Sequence, residues 1–247
     1  MEKIFIDINC DVGEGLGNEK ELFPHISSCN IACGGHAGDV GTMGEVALLA
    51  LSHHVRIGAH PSYPDRENFG RTSMDLSPLE LRRTLGQQID SLIGVLERAG
   101  ATLDHIKPHG ALYNDVAKDI SKAKAFLKAV SPYRESVFLY LPYGSVVASE
   151  ARFQGFKVQL EAFADRNYLS DLSLVSRKRS NAVIEEPKEV LAHLIRMVKN
   201  GVVRTLDGTE TKILAHTYCI HGDTPTVLQI LMYLSKELRN HLIFLKK

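Results

Sequence analysis

No tryptophan occurs in this sequence, which removes the commonest platform for stacking a sugar ring, although tyrosine and phenylalanine remain. No charge predominates: Lys plus Arg and Asp plus Glu number 29 each, so no global field draws the chain to nucleic acid or to an anionic membrane surface. No apolar run approaches the roughly 20 residues that a membrane-spanning helix needs, and no segment is repetitive or low in complexity. No G-x-x-x-x-G-K-S/T stretch is present, so the chain has no phosphate cradle of that type. The four cysteines, Cys10, Cys29, Cys33 and Cys219, form no two-pair zinc pattern and read as small buried thiols in a reducing compartment. The opening MEKIFIDI lacks the basic and long apolar regions of a signal peptide, so a cytoplasmic protein with a small-molecule or protein partner is expected.

What is there is an alternation. With 247 residues, 44% of them hydrophobic, the chain is long enough for a full core, and a single α/β domain over residues 1–247 is the simplest expectation. Seven short β-branched or apolar runs read as strands: 4–8, 26–33, 55–60, 103–109, 137–141, 156–163 and 212–220. Between them lie helical stripes. In SPLELRRTLGQQIDSLIGVLERAG, residues Leu85, Ile89, Leu92, Ile93 and Leu96 share a face, Ser77 and Glu80 form a capping box, Pro78 suits the first turn and Gly100 closes the helix. Further stripes run over Val190, Leu191, Leu194, Ile195 and Val198, and over Val227, Ile230, Leu231, Leu234 and Leu238; other helices are expected near Gly41, Asn114 and Gly144. Strands alternating with helices predict a parallel sheet, open or closed into a barrel, with the active site at the C-terminal strand ends in either case.

Polar residues gather at those ends. In DINCDVGEG, Asp7, Asn9 and Asp11 share one face of a strand and Ile6, Ile8 and Cys10 the other. CNIACGGHAGD brings His36 and Asp39 past a Gly-Gly turn to a helix N-terminus able to hold an anion. His60 ends GAH, and Arg71 follows in NFGR, where a guanidinium can fork a carboxylate or phosphate or else make a surface salt bridge. In KPHGALYN, Lys107 and His109 face the same way, a pairing that burial makes costly unless a carboxylate answers it; Asp11 and Asp7 are the candidates. Glu161, Phe163 and Asp165 repeat the pattern in EAFADR before Arg166, and His221 ends the last strand in CIHGD. Asn114 and Asp223 read as helix caps, and His53 and His54 as surface or C-terminal capping residues. Four strand-end histidines, His36, His60, His109 and His221, are more than packing explains.

With those blocks in order, DINCDVGEG, CNIACGGHAGD, GAHPSYPD, KPHGALYN, EAFADR and HGD, the chain resembles the LamB/YcsF family over nearly its whole length. The family often has a second arginine where Thr72 follows Arg71 here, and a glycine near Ser180-Asn181. The resemblance implies a distorted seven-stranded parallel β/α barrel of the glycoside hydrolase/deacetylase type. It implies opening of the lactam of 5-oxo-L-proline to L-glutamate coupled to ATP hydrolysis, together with two other components of a 5-oxoprolinase, the B and C subunits. Since no phosphate cradle of the G-x-x-x-x-G-K-S/T type is present, the ATP chemistry is expected on those partners. For the attack, Asp11 is the expected general base, with Lys107 or His109 stabilising the oxyanion and protonating the leaving nitrogen, and His60 beside them. A divalent metal on Asp11, His60 and His109 is the alternative way to activate water. The candidate substrate-binding residues are Asp7, Asn9, Asn30, His36 and Arg71 from the first half of the chain, and Tyr113, Glu161, Asp165, Arg166 and His221 from the second. Two other readings stay open: a metal-dependent carbohydrate deacetylase or glycosidase using the same residues, and a regulatory subunit without catalysis of its own.

Overall fold

In the computed structural model, which describes residues 2–246, seven parallel strands close into a barrel. They are β1 (Ile4–Val12), β2 (Ser28–Ala32), β3 (Arg56–His60), β4 (His105–Ile106), β5 (Phe138–Pro142), β6 (Lys157–Phe163) and, after an antiparallel hairpin of β7 (Val202–Arg204) and β8 (Glu210–Lys212), β9 (Thr217–Cys219). Closure runs through β9, which pairs with β6 by Glu161 opposite Thr217 and with β1 by Asp7 opposite Thr217. A last strand, β10 (Ile243–Leu245), pairs only with the start of β1, through Ile4–Ile6. The ring therefore holds seven strands, as the resemblance implied, with short β4 and β9 distorting it.

The run 212–220 divides rather than forming one strand: Lys212 ends the hairpin and only Thr217–Cys219 joins the barrel. The Asp207-Gly208 turn, with Gly208 at a φ of 86°, folds Glu210–Lys212 back on Val202–Arg204 and takes those residues away from the ring.

Helices α1 (Glu19–Leu22), α2 (Val40–Ser52), α3 (Pro78–Ala99), α4 (Gly110–Lys118), α5 (Ile120–Val130), α6 (Val146–Phe153), α7 (Pro187–Ile195) and α8 (Val227–Glu237) accompany the strands. Helix α3 starts on the expected capping box, with both Ser77–Glu80 bonds made, and ends at Gly100 in the left-handed region. Its Leu85, Ile89, Leu92 and Leu96 are buried, each worth roughly 1.5–3 kcal/mol against exposure. Beyond Ile195 the stripe through Val198 continues as a single wide turn, Arg196–Asn200, which Gly201 ends. His53 caps the end of α2, and all four cysteines are free and buried.

The barrel interior is polar where an aliphatic filling is usual. Asp7, Asn9 and Asp11 all point inward, and Asn9 Nδ2 donates across the ring to Glu161 Oε1 at 3.0 Å and Thr217 Oγ1 at 2.7 Å. Asn30 Nδ2 donates to Asn9 Oδ1 and to Asp11 Oδ1, each at 2.8 Å, while Asn30 Oδ1 faces His105 Nε2 at 2.7 Å. Gly58 leaves the space that the His105 ring fills. The side-chain amides of Asn9 and Asn30 thus have partners for both oxygen and nitrogen, which offsets the cost of taking them out of water.

Candidate active site

A cavity of about 490 Å³ opens at the C-terminal ends of the strands. Its floor is Lys107, which is 2% exposed. The ammonium stands 2.9 Å from Asp11 Oδ1, 3.0 Å from Glu161 Oε1, 3.2 Å from Asn9 Oδ1 and 3.1 Å from Cys219 Sγ. Burial opposes its charge, but Asp11, Cys219 and Glu161 more than offset this and hold the lysine well above its usual range. Asp11 is buried too, yet His60 and Lys107 hold it well below the usual carboxylate range. The carboxylate that the Lys107–His109 pair requires is therefore Asp11, helped by Glu161. Asp7 takes no part.

His109 has no such answer. Burial, then His60 and His36, push it well below its usual value, and burial followed by His60 pushes His36 down to about 2. Both rings are neutral and stacked, 3.6 Å between centroids and 4° apart. His60 Nε2 lies 3.0 Å from His109 Nδ1 and 3.4 Å from Asp11 Oδ2. Glu14 joins them, its Oε1 3.0 Å from His36 Nε2 and 3.5 Å from His109 Nδ1. Burial and the nearby Asp11 raise Glu14 to about 7.

Across the cavity, His221 and Asp165 form a dyad. His221 Nδ1 lies 3.0 Å from Asp165 Oδ1, and Asp165 Oδ2 accepts from the His221 backbone N–H and from Thr224 Oγ1, each at 2.9 Å. Burial raises Asp165, but His221 and these bonds prevail and bring it to about 2. A ring nitrogen of His221, a carboxylate oxygen of Asp11 and Cys219 Sγ all lie within 4.8 Å of one another. Near the rim, Arg71 Nη2 and Arg177 Nη1 both donate to Asp223 Oδ2, at 2.6 and 2.7 Å, while Asp223 Oδ1 is buried without a partner among the described residues. Tyr113 and Phe163 complete the wall; burial and Glu161 push the Tyr113 phenol well up.

Several expectations change. Asp7 sits low in the barrel, taking bonds from Ser28 Oγ at 3.0 Å and Arg56 Nη2 at 2.5 Å, and does not line the cavity. Asn9 and Asn30 form the layer beneath the floor, and His36 stands behind His109; none of them lines the cavity. Arg166 borders the cavity but donates from Nε to Ala182 O at 3.1 Å and from Nη2 to Val175 O at 2.5 Å, bracing the loop after β6. Asp39 caps α2 through Thr42 N at 2.8 Å, so a carboxylate already occupies the helix end read as an anion site. Asn114 lies inside α4, its amide donating to Gly110 O at 3.1 Å, because the helix starts at Gly110. Asp223 joins the two arginines instead of capping α8, whose N-cap is Thr226.

Glu14, Arg177 and Asp223 were not among the expected site residues. Glu14 follows Gly13, whose φ of 72° breaks the two-residue alternation of β1, and Arg177 lies in an irregular segment between β6 and α7 with no period to orient it. The only sequence signal for Glu14 was its place three residues past Asp11, the end of an inward row.

The LamB/YcsF family model matches residues 6–247. Among curated proteins, the chain is 44% identical to the 5-oxoprolinase A subunit of Shouchella clausii, over 98% of this chain and 97% of that one. It is 42% identical to the 5-oxoprolinase A subunit of Acinetobacter baumannii, over 95% and 94%. Among solved structures, the lactam utilization protein of Thermus thermophilus superposes with a TM-score of 0.90 at 37% identity, over 98% and 99%. A family 4 carbohydrate esterase of Streptomyces lividans, with a TM-score of 0.54 at 8% identity over 98% and 92%, shares the fold alone. The barrel, the polar cavity and these matches agree, and the chain belongs to the LamB/YcsF family.

Proposed function

We propose that this chain is the lactam-opening component of an ATP-dependent 5-oxoprolinase, hydrolysing the cyclic amide of 5-oxo-L-proline to L-glutamate. The observation that carries this reading is the Asp165–His221 dyad set beside the Asp11–Lys107–Glu161 cluster in one cavity. The relatives named for 5-oxoprolinase and lactam utilization support the substrate class.

Asp165 accepts from His221 Nδ1 and so directs Nε2, which makes no protein hydrogen bond among the described residues, toward the cavity. His221 takes the proton of a water as its oxygen attacks the lactam carbon, and the imidazolium returns it to the ring nitrogen as the C–N bond breaks. This moves the base role from Asp11, whose Oδ1 already accepts from Lys107 and Asn30, to His221. Lys107 contributes a fixed positive charge on the cavity floor near the developing oxyanion. Arg71 and Arg177 receive the substrate carboxylate in place of Asp223.

The B and C subunits supply the ATP chemistry and activate the lactam oxygen, and ATP is a co-substrate of the complex. The test is reconstitution with ATP and 5-oxoproline. Partners alone form no glutamate at the full rate, and a complex carrying His221→Ala assembles normally but loses turnover. Full turnover by partners alone, or by the His221→Ala complex, overturns the reading; full turnover in the variant favours a purely regulatory role for this chain.

A further inference from the structure

His60 and His109 are each held by a main-chain carbonyl. His60 Nδ1 stands 2.8 Å from Lys107 O, and His109 Nε2 stands 3.0 Å from Phe69 O. A carbonyl only accepts, so each of those nitrogens carries a ring proton, and the nitrogens left for another partner are His60 Nε2 and His109 Nδ1. They face one another 3.0 Å apart. Two unprotonated nitrogens at that distance repel unless a shared proton or a metal cation sits between them. Glu14 Oε1, 3.5 Å from His109 Nδ1, brings a carboxyl oxygen beside the same point.

We propose that His60 Nε2, His109 Nδ1 and Glu14 Oε1 form a binding site for one divalent cation of the zinc class, open on its fourth side to the cavity. Two imidazoles and a carboxylate are a donor set of that class, and one open position is its usual form when the metal meets substrate. Four ligands at about 2.0–2.2 Å stand about 3.4 Å from one another around a tetrahedral ion. The observed separations of 3.0 and 3.5 Å need only small adjustment. The carbonyls of Lys107 and Phe69 are the outer partners that orient ligating histidines.

The geometry also selects among the neighbours. His36 is parallel to His109 and 3.6 Å from it, so an ion in the plane of His109 lies out of the plane of His36. Moreover, its Nε2 faces Glu14 and it does not line the cavity. His36 is a positioning residue for Glu14. The His60 ring, at 84° to His109, meets no such obstacle. Compared with the set expected from sequence, Glu14 replaces Asp11. Asp11 Oδ2 stands 3.4 Å from His60 Nε2, but its Oδ1 takes hydrogen bonds from Lys107 and Asn30. The ligand atoms that lie within 4.8 Å of one another here are those of Glu14, His36, His60 and His109, with Asp11 grouped instead with Cys219 and His221.

This site lies in the cavity of the proposed hydrolase, but its test does not depend on that activity. Chain stripped with a chelator is titrated with Co²⁺ and then Zn²⁺, following cobalt absorption in the visible and metal content after gel filtration. One Co²⁺ per chain, displaced by Zn²⁺, is expected, with His60→Ala and His109→Ala weakening binding at least ~100-fold and His36→Ala about tenfold. Absence of stoichiometric binding to the folded wild-type chain overturns the site, as does unchanged binding by folded His109→Ala. If the alanine variants fail to fold, the wild-type titration decides, with His60→Gln as the second variant. Binding in a complex without turnover keeps the site and removes the hydrolase reading; turnover without binding does the reverse.

Discussion

His221 is tied to Asp165 twice, by its ring Nδ1 at 3.0 Å and by its backbone N–H at 2.9 Å. The two bonds fix the ring's position and its tautomer together. Asp165→Asn keeps the shape but loses the acceptor that selects the tautomer, so turnover of the reconstituted complex is expected to fall about 10³-fold or more with KM little changed. Steady-state kinetics, with complex assembly checked by gel filtration, measure it.

Asp165 also makes stability depend on pH. Its folded value of about 2 lies below the unfolded value near 3.8, so its stabilisation, about 2 kcal/mol, is fully present above roughly pH 5 and lost as pH falls toward 2. Acid titration of chemical-denaturation midpoints should show that slope for the wild type and a flatter one for Asp165→Asn.

Removing the Lys107 ammonium takes from buried Glu161 its ion-pair partner and leaves Asp11 with His60 alone. Lys107→Met is expected to cost about 3–5 kcal/mol of stability, read by denaturant unfolding. Adding Asp11→Asn to it should recover part of the loss, because one buried negative charge disappears.

Gly110 has a φ of 58°, and a Cβ there would stand 2.5 Å from Gly70 O, which accepts from Ala111 N. Gly110→Ala is therefore expected to destabilise by about 1–3 kcal/mol and, by moving the adjacent His109, to lower Co²⁺ affinity as well. A glycine needed only for stability would leave the titration unchanged.

Arg71→Ala and Arg177→Ala are expected to raise KM for 5-oxoproline about tenfold or more each with smaller effects on kcat, since each loses a charge-assisted contact to the carboxylate. Asp7→Asn should leave both constants alone and appear only in stability, because Asp7 answers Arg56 at the far end of the barrel.

How much of this was legible follows from the kind of regularity each feature obeys. The two-residue alternation identified the inward rows of β1, β4 and β6, and the helical period with its capping box identified α3, because both are local consequences of backbone geometry. Alternation gives a face but no depth. Asp7 and Asp11 share a face, yet at about 3.3 Å per residue they stand about 13 Å apart along the strand, so one pairs with Arg56 below and the other with Lys107 at the cavity.

The local order of residues determined that strands and helices alternate, that four histidines lie at or within a few residues past strand ends, and that carboxylates and a lysine face inward beside them. Only the closed barrel decided partners. Asn9 meets Glu161 across 152 residues of chain, Arg71 meets Asp223 across another 152, and Glu14 reaches His36 and His109 because Gly13 turns the chain at the barrel's mouth. Such contacts are set by ring closure and strand register, which depend on all seven strands at once. No short stretch of sequence contains that information.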